Sequence, residues 1–319
     1  EGVAEGFQGG GWRPAREGRT TRMISLKGLA KSFGAARILN GIDLDVPMGQ
    51  RIALIGSNGA GKTTLFRCLL GEYTHDGTVT IDGRDPRRER TEVLRHVGFV
   101  PQIAPRLEMP VAALMRYVAD VTGGRIEEME AIARRMGLDV APIRGRAFVK
   151  LSGGMKQKLL IAMALGRPTK MLILDEPAAN LDPAARAVLF ELLAERPEVT
   201  MIISSHRIDE IAALVNRVIE LEHGRVILDD TVTDAGALGS TFAVRLATAR
   251  AEPSFARAAT EWGLTETSPG DWRGAIAGPD RLRFLGFVAR HAGLVSGVTI
   301  DEEKTPAEGG RDVLVGPAV

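Results

Sequence analysis

Eight residues, Gly56-Ser57-Asn58-Gly59-Ala60-Gly61-Lys62-Thr63, follow the spacing Gly, four residues, Gly-Lys-Ser/Thr. Glycines at these positions let successive backbone N–H groups turn inward around phosphate oxygens. Lys62 is long enough to reach the terminal phosphates, and the Thr63 hydroxyl suits Mg²⁺. The apolar run Arg51 to Ile55 reads as a strand before this loop, and Thr64 to Leu70, closed by Gly71, as a helix after it. Strand, turn and helix in that order are the context a phosphate loop needs, so the chain is expected to bind a nucleoside triphosphate.

A second group of residues lies downstream. Met171-Leu172-Ile173-Leu174 reads as a buried parallel strand that ends on the carboxylates Asp175 and Glu176. Beside a phosphate loop, Asp175 can hold the shell of a Mg²⁺ ion, and Glu176 can orient and polarise an attacking water. A third group begins at Leu151. Ser152 is a good N-cap for the apolar helical run ending at Leu165, and Gly153 and Gly154 leave N–H groups exposed at its start. That makes two anion-binding devices in the chain but one lysine-bearing loop.

The segment Leu151-Ser152-Gly153-Gly154-Met155-Lys156-Gln157 resembles the signature of ATP-binding cassette (ABC) ATPases. Other elements of that family stand in the expected order. Phe33 matches the aromatic that stacks on adenine, and Gln102, in Val100-Pro101-Gln102, the glutamine of the loop facing the membrane partner and the metal. Asn180-Leu181-Asp182 matches the loop that crosses the dimer interface, and His206 the histidine that contacts the γ-phosphate. The resemblance runs from about Met23 to Asp230. It implies ATP and Mg²⁺ as cofactors, with ATP held by Phe33, Gly56 to Thr64, Ser152, Gly153, Gly154 and Asp182. It further implies metal contacts at Thr63, Gln102 and Asp175, and catalysis by Glu176, His206 and Gln102. Two departures are small: Phe33 stands where Tyr is commoner, and Asn180 stands where many relatives have Gly. Asn is the non-Gly residue that best tolerates positive φ, so it suits that loop.

The implied fold is α/β: a phosphate-loop nucleotide-binding domain at 23–232, with a RecA-like core, an antiparallel β subdomain and a helical subdomain. Gly77 to Gly83 reads as one arm of that antiparallel sheet, and the apolar spacing between Pro110 and Gly137 as the helices. Strand 199–205, helix 208–215 and a hairpin turning at His223-Gly224 complete it. Residues 233–319 form a small α+β accessory domain. A strand at 241–246, a helix at 254–262, two strands around Ser268-Pro269-Gly270, a helix at 280–291 and a strand at 295–300 give the ferredoxin-like order βαββαβ. Trp262 and Trp272 are expected in its core. Residues 1–22, Gly- and Arg-rich and without periodicity or an apolar stretch, are expected to be disordered, to hold no signal peptide and to precede the natural start at Met23.

With 319 residues, 45% hydrophobic and 25% charged, the composition is that of an ordinary globular protein of about two domains. A formal net charge of +1 argues against a polyanion surface, so no nucleic acid is expected as partner. The longest apolar run, Leu159 to Leu165, is far short of the roughly 18–20 residues that span a bilayer. The single cysteine, Cys68, excludes an internal disulfide and reads as a core residue.

The layout resembles ABC-2 type exporter ATPases. What that implies is a second copy or a homologous ABC ATPase as partner, an integral membrane permease, work in export, and a cytoplasmic place peripheral to the inner face of the membrane. Two other readings fit the same chemistry: the ATPase of a membrane assembly that matures metal cofactors or enzymes, and a soluble non-transport cassette. The soluble types usually carry two cassettes or a long coiled-coil insertion, which this chain lacks.

Overall fold

A computed structural model describes residues 22–205, 208–231, 241–277 and 281–303. The expectations for residues 1–21, for His206 and for the junction at 232–233 therefore lie outside the described residues. In chain order the elements begin with β1 (Arg22–Phe33), β2 (Ala36–Pro47), β3 (Arg51–Ile55), α1 (Lys62–Leu69) and β4 (Asp76–Ile81). Next come α2 (Arg90–Arg95), β5 (Val97–Val100), α3 (Val111–Thr122), α4 (Ile126–Arg135), α5 (Gly153–Leu165) and β6 (Met171–Asp175). They continue with α6 (Pro183–Ala194), β7 (Thr200–Ser204), α7 (Ile208–Ile211), β8 (Arg217–Glu222) and β9 (Arg225–Thr231). Last are β10 (Thr241–Thr248), α8 (Pro253–Glu261), β11 (Thr265–Ser268), β12 (Asp271–Ala277), α9 (Arg281–Arg290) and β13 (Val295–Glu303).

Six strands form the central sheet in the order β5-β6-β7-β3-β8-β9, parallel except for the β8–β9 hairpin. Both of its faces are buried, and the two-residue period of a strand sorts the side chains between them. Ile52, Leu54, Met171, Ile173 and Ile202 join Leu65, Phe66 and Leu69 of α1 in one core. Ala53, Ile55, Leu172, Leu174, Met201 and Ile203 join Leu159 and Ile161 of α5 and Leu189 of α6 in the other. Cys68 is fully buried on the α1 side.

A three-stranded antiparallel sheet, β2-β1-β4, extends the α1-side core, and α3 and α4 pack with α5. These are the antiparallel and helical parts expected. β1 and β2 are twelve residues each, and their pairing is interrupted by bulges. β1 begins at Arg22, one residue before the anticipated start. The expected helix 208–215 is shorter: α7 stops at Ile211, a 3₁₀ turn follows at Ala212–Leu214, and Val215 is extended. Asn216 ties the chain beyond it to the start of β3, its side-chain oxygen accepting the Arg51 N–H at 3.0 Å and its own N–H donating to the Arg51 carbonyl at 2.9 Å.

The remaining sheet has the order β11-β12-β10-β13, all neighbours antiparallel. With α8 and α9 interleaved, this is the βαββαβ arrangement with its two first-and-third-position strands, β10 and β12, at the centre. Phe242, Val244, Leu246, Phe255, Trp272, Phe284 and Phe287 fill its core, and the half-buried Trp262 packs beside Phe284 at 5.3 Å. Both tryptophans thus belong to packing. Helix α9 also touches the larger unit: Leu285 enters the core that holds Ile211 and Leu214, and Arg281 pairs with Asp230 at 2.6 Å.

Candidate functional site

The phosphate-binding loop joins β3 to α1, at the carboxyl edge of the parallel sheet. Gly56 has φ 147°, and a Cβ there would stand 2.3 Å from the Leu221 carbonyl oxygen, so the loop and β8 can be this close only with glycine. The hairpin turn braces the loop from outside. Gly224, at φ 72°, donates its N–H to the Ala60 carbonyl at 3.0 Å, and its carbonyl accepts the Asn40 N–H at 2.8 Å. The sequence motif alone does not reveal this brace; the His223-Gly224 turn residues were the available signal.

Lys62 is 8% exposed, with its Nζ donating to the Gly56 carbonyl at 2.6 Å and the Ser57 carbonyl at 3.3 Å. Burial pushes its ammonium pKa down, and the nearby carboxylates of Glu176 and then Asp175 oppose that shift. Thr63 Oγ1 donates to Asp175 Oδ2 at 3.1 Å, linking the first turn of α1 to the end of β6. Asp175 is buried, and its other oxygen accepts the Ser204 hydroxyl at 2.7 Å. That same hydroxyl accepts the Glu176 N–H at 2.9 Å. Glu176 has φ 50°, whereas Asn180 is not among the positive-φ residues. The left-handed residue stands at Glu176, where β6 ends and the chain must turn sharply off the sheet.

Phe33, Ile38, Ser57, Asn58, Gly59, Gly61, Lys62, Thr63, Thr64, Gln102, Asp175 and Glu176 surround one cleft of about 390 Å³. It is polar at the loop and aromatic at one end, where Phe33 is 46% exposed and meets Tyr73 edge-on at 5.2 Å. The Lys31 ammonium lies 4.7 Å from the Phe33 ring centre. A ring exposed to this extent can stack on a flat heteroaromatic group while the loop holds phosphates. Gly56 and Ala60 shape the loop from behind.

Ser152, Gly153, Gly154 and Asp182 do not line that cleft. Ser152 caps α5, its hydroxyl accepting the Met155 N–H at 3.3 Å, and it is exposed together with Gly153. Asp182 caps α6 through the Ala185 N–H at 2.8 Å and pairs with Lys158 of α5 at 2.8 Å. These two partners, Lys158 first, hold its carboxyl below the usual range. Both of its oxygens are thus engaged within the chain. Gln157, buried in α5, donates to the Pro177 carbonyl at 3.0 Å and fastens the signature helix to the segment that follows the carboxylates.

Residues 39–179 match the family model described as ABC transporter. The chain is 36% identical over 214 residues to the sulfate/thiosulfate import ATP-binding protein CysA of Rhodopseudomonas palustris, covering 64% of this chain and 61% of that one. It is 33% identical over 220 residues to the glutamine transport ATP-binding protein GlnQ of Escherichia coli, covering 65% of this chain and 90% of GlnQ. The chain belongs to the family of ABC transporter ATP-binding proteins. Among solved structures, a bacterial Atm1-family ABC exporter with ATP bound superposes with a TM-score of 0.59 at 25% identity, over 68% of the cassette's chain and 40% of the exporter's. One of these relatives is an importer by name and one an exporter, so the family does not fix a direction for this cassette. Its β10–β13 unit begins beyond the residues matched by the family model.

Proposed function

We propose that the chain is the ATP-binding and ATP-hydrolysing subunit of a transporter, and that it works by pairing with a second copy around two ATP molecules. The observation that carries this reading is the division of the site. Lys62, Thr63, Asp175 and Glu176 line one cleft, while the cap of exposed Ser152 and Gly153 with half-buried Gly154 is absent from it. A cap of exposed N–H groups binds anions, and the phosphates that it suits are held elsewhere. Head-to-tail pairing brings the cap of each copy to the cleft of the other, and the two-fold symmetry makes both sites at once. Phe33 stacks on the base, Gly56 to Thr64 hold the phosphates, Glu176 orients water, His206 contacts the terminal phosphate, and Gln102 reaches the metal.

The donors fit Mg²⁺. Thr63 Oγ1 and the Asp175 carboxylate are hard oxygen donors 3.1 Å apart, and Mg²⁺ favours one or two such protein ligands together with phosphate oxygens and water. Among the described residues there is no group of three or more His, Cys, Asp or Glu that would form an all-protein cage. When bound, the ion neutralises developing phosphate charge.

A membrane permease is the proposed partner. Between α2, α3 and α5 runs an apolar groove of about 450 Å³, lined by Leu94, Phe99, Leu107, Tyr117, Val121 and Met163 among others and edged by Arg90 and Arg95. Tyr117 and Val121, which line it, are exposed. No helix among the described residues is long and apolar enough to cross a membrane, so the path would come from the partner. Closing and opening of the ATP-bound pair would move that partner through differential contacts. Export and a cytoplasmic face are proposed from the resemblance to ABC-2 type ATPases, with 233–319 as an accessory domain after a nucleotide-binding domain at 23–232. Co-purification from membranes with a polytopic protein, and ATP-driven movement of its cargo outward in vesicles, test the reading. Recovery of the chain with no membrane protein would contradict it.

A further inference from the structure

We infer that Ser204 is a positioning residue for ATP hydrolysis, holding the Asp175-Glu176 pair in its working geometry; the inference rests on the functional reading above. Residues 200–204 of β7 are Thr-Met-Ile-Ile-Ser, and β7 lies between β6 and β3 in the middle of a sheet covered on both faces. An apolar residue is the ordinary occupant of such a position. Ser204 is instead polar and fully buried, directly opposite Asp175 in the parallel register. Strand alternation puts Met171, Ile173 and Asp175 of β6, and Ile202 and Ser204 of β7, toward the face covered by α1. That is the face from which Thr63 reaches the site.

One hydroxyl performs two tasks here. Its proton goes to Asp175 Oδ1 at 2.7 Å, which fixes the plane of the carboxylate and leaves Oδ2 directed at Thr63, 3.1 Å away. Its lone pair takes the Glu176 N–H at 2.9 Å. Glu176 is held at φ 50°, a conformation unfavourable for a residue with a Cβ, and the bond from its N–H stabilises the turned backbone that presents its side chain to the cleft. The hydroxyl therefore couples the oxygen suited to the cation with the residue suited to the water. Alanine at 204 removes the acceptor of a buried N–H and the donor to a buried carboxylate together. Threonine keeps the hydroxyl.

The test uses the full-length chain and compares Ser204→Ala with Ser204→Thr. Binding of a fluorescent ATP analogue is measured with and without Mg²⁺, alongside the Mg²⁺ dependence of kcat and the thermal midpoint. Loss of an outer partner of a metal ligand typically costs about ten- to a hundredfold. Ser204→Ala is expected to lose about tenfold in the Mg²⁺-dependent gain of affinity and in kcat, while Mg²⁺-free binding stays within about twofold. Ser204→Thr is expected to recover most of both. An unchanged Mg²⁺ response in Ser204→Ala overturns the inference, as does a parallel fall in Mg²⁺-free binding and thermal midpoint, which marks a structural role alone. If threonine's methyl lacks room, its own midpoint falls, and the Mg²⁺ response of Ser204→Ala decides. A wild-type chain that neither binds nor hydrolyses ATP defeats the functional reading itself, whereas an active wild type with an indifferent Ser204→Ala defeats only this step.

Discussion

The six-stranded and four-stranded sheets bury different kinds of side chain. Lys62, Gln157, Asp175, Thr200, Ser204 and Arg217 are buried polar or charged residues in or beside the first, and no such residue occurs in the second among the described residues. The second is filled by apolar side chains, with Phe255, Trp272, Phe284 and Phe287 in edge-on, stacked or tilted contacts. Parallel strands bring their carboxyl ends to one edge, where loops and a helix start supply mutual partners for buried polar groups. The antiparallel sheet packs one face and leaves the other in water, so it needs no buried polar network. Its open face even sets Arg245 directly opposite Arg273, both exposed. The buried polar groups of the candidate site belong to the first sheet, and the second is held by apolar packing.

Several substitutions separate the two regions. The largest effect is expected from Lys62→Ala: nucleotide affinity should fall by about a hundredfold, the worth of charge-assisted bonds of roughly 3 kcal/mol, as read by equilibrium binding. Similar affinity in that variant would move the phosphate site elsewhere. Phe287→Ala, in the aromatic core and 1% exposed, should destabilise the four-stranded unit by about 3–5 kcal/mol in thermal or denaturant unfolding. Nucleotide affinity should remain within about twofold of wild type, and a larger loss would show that the units are energetically one.

Cys68 sharpens the contrast through pH. Burial raises its thiol pKa from 9.0 to about 11, so the folded state favours the protonated form more than the unfolded chain does. The stability from that shift is complete below pH 9 and is lost as pH rises toward 11. Alkylation at pH 8 should be slow until the chain unfolds, and rapid labelling of folded protein would contradict the burial. The smallest effect concerns the open face, where Arg273→Glu replaces a like-charge pair with an opposite one and should stabilise by about 0.2–1 kcal/mol, less at high salt.

Much of the site was legible because its signals are local. The Gly56 to Thr63 spacing, the apolar strand ending on Asp175 and Glu176, the Ser152 cap and the His223-Gly224 turn each depend on a few neighbouring residues. The βαββαβ order was legible for the same reason. What escaped depends on distant partners. Ser204 looks like any strand-end serine until β7 is set beside β6, and Gln157 looks like a surface helix residue until Pro177 meets it. Helix α6 carries a local signal too, Asp182 as a cap followed by Pro183. Beyond α7, Asn216 bonds to Arg51, a contact across 165 positions that no local pattern records.

The central claim is that a second copy completes the site. Light scattering on Glu176→Gln with Mg²⁺ and ATP tests it most directly, because orienting water is the proposed task of that carboxylate and slow turnover should trap the closed pair. The account predicts the mass of a dimer with ATP and of a monomer without it. A monomeric mass at saturating ATP, with nucleotide demonstrably bound, would contradict it.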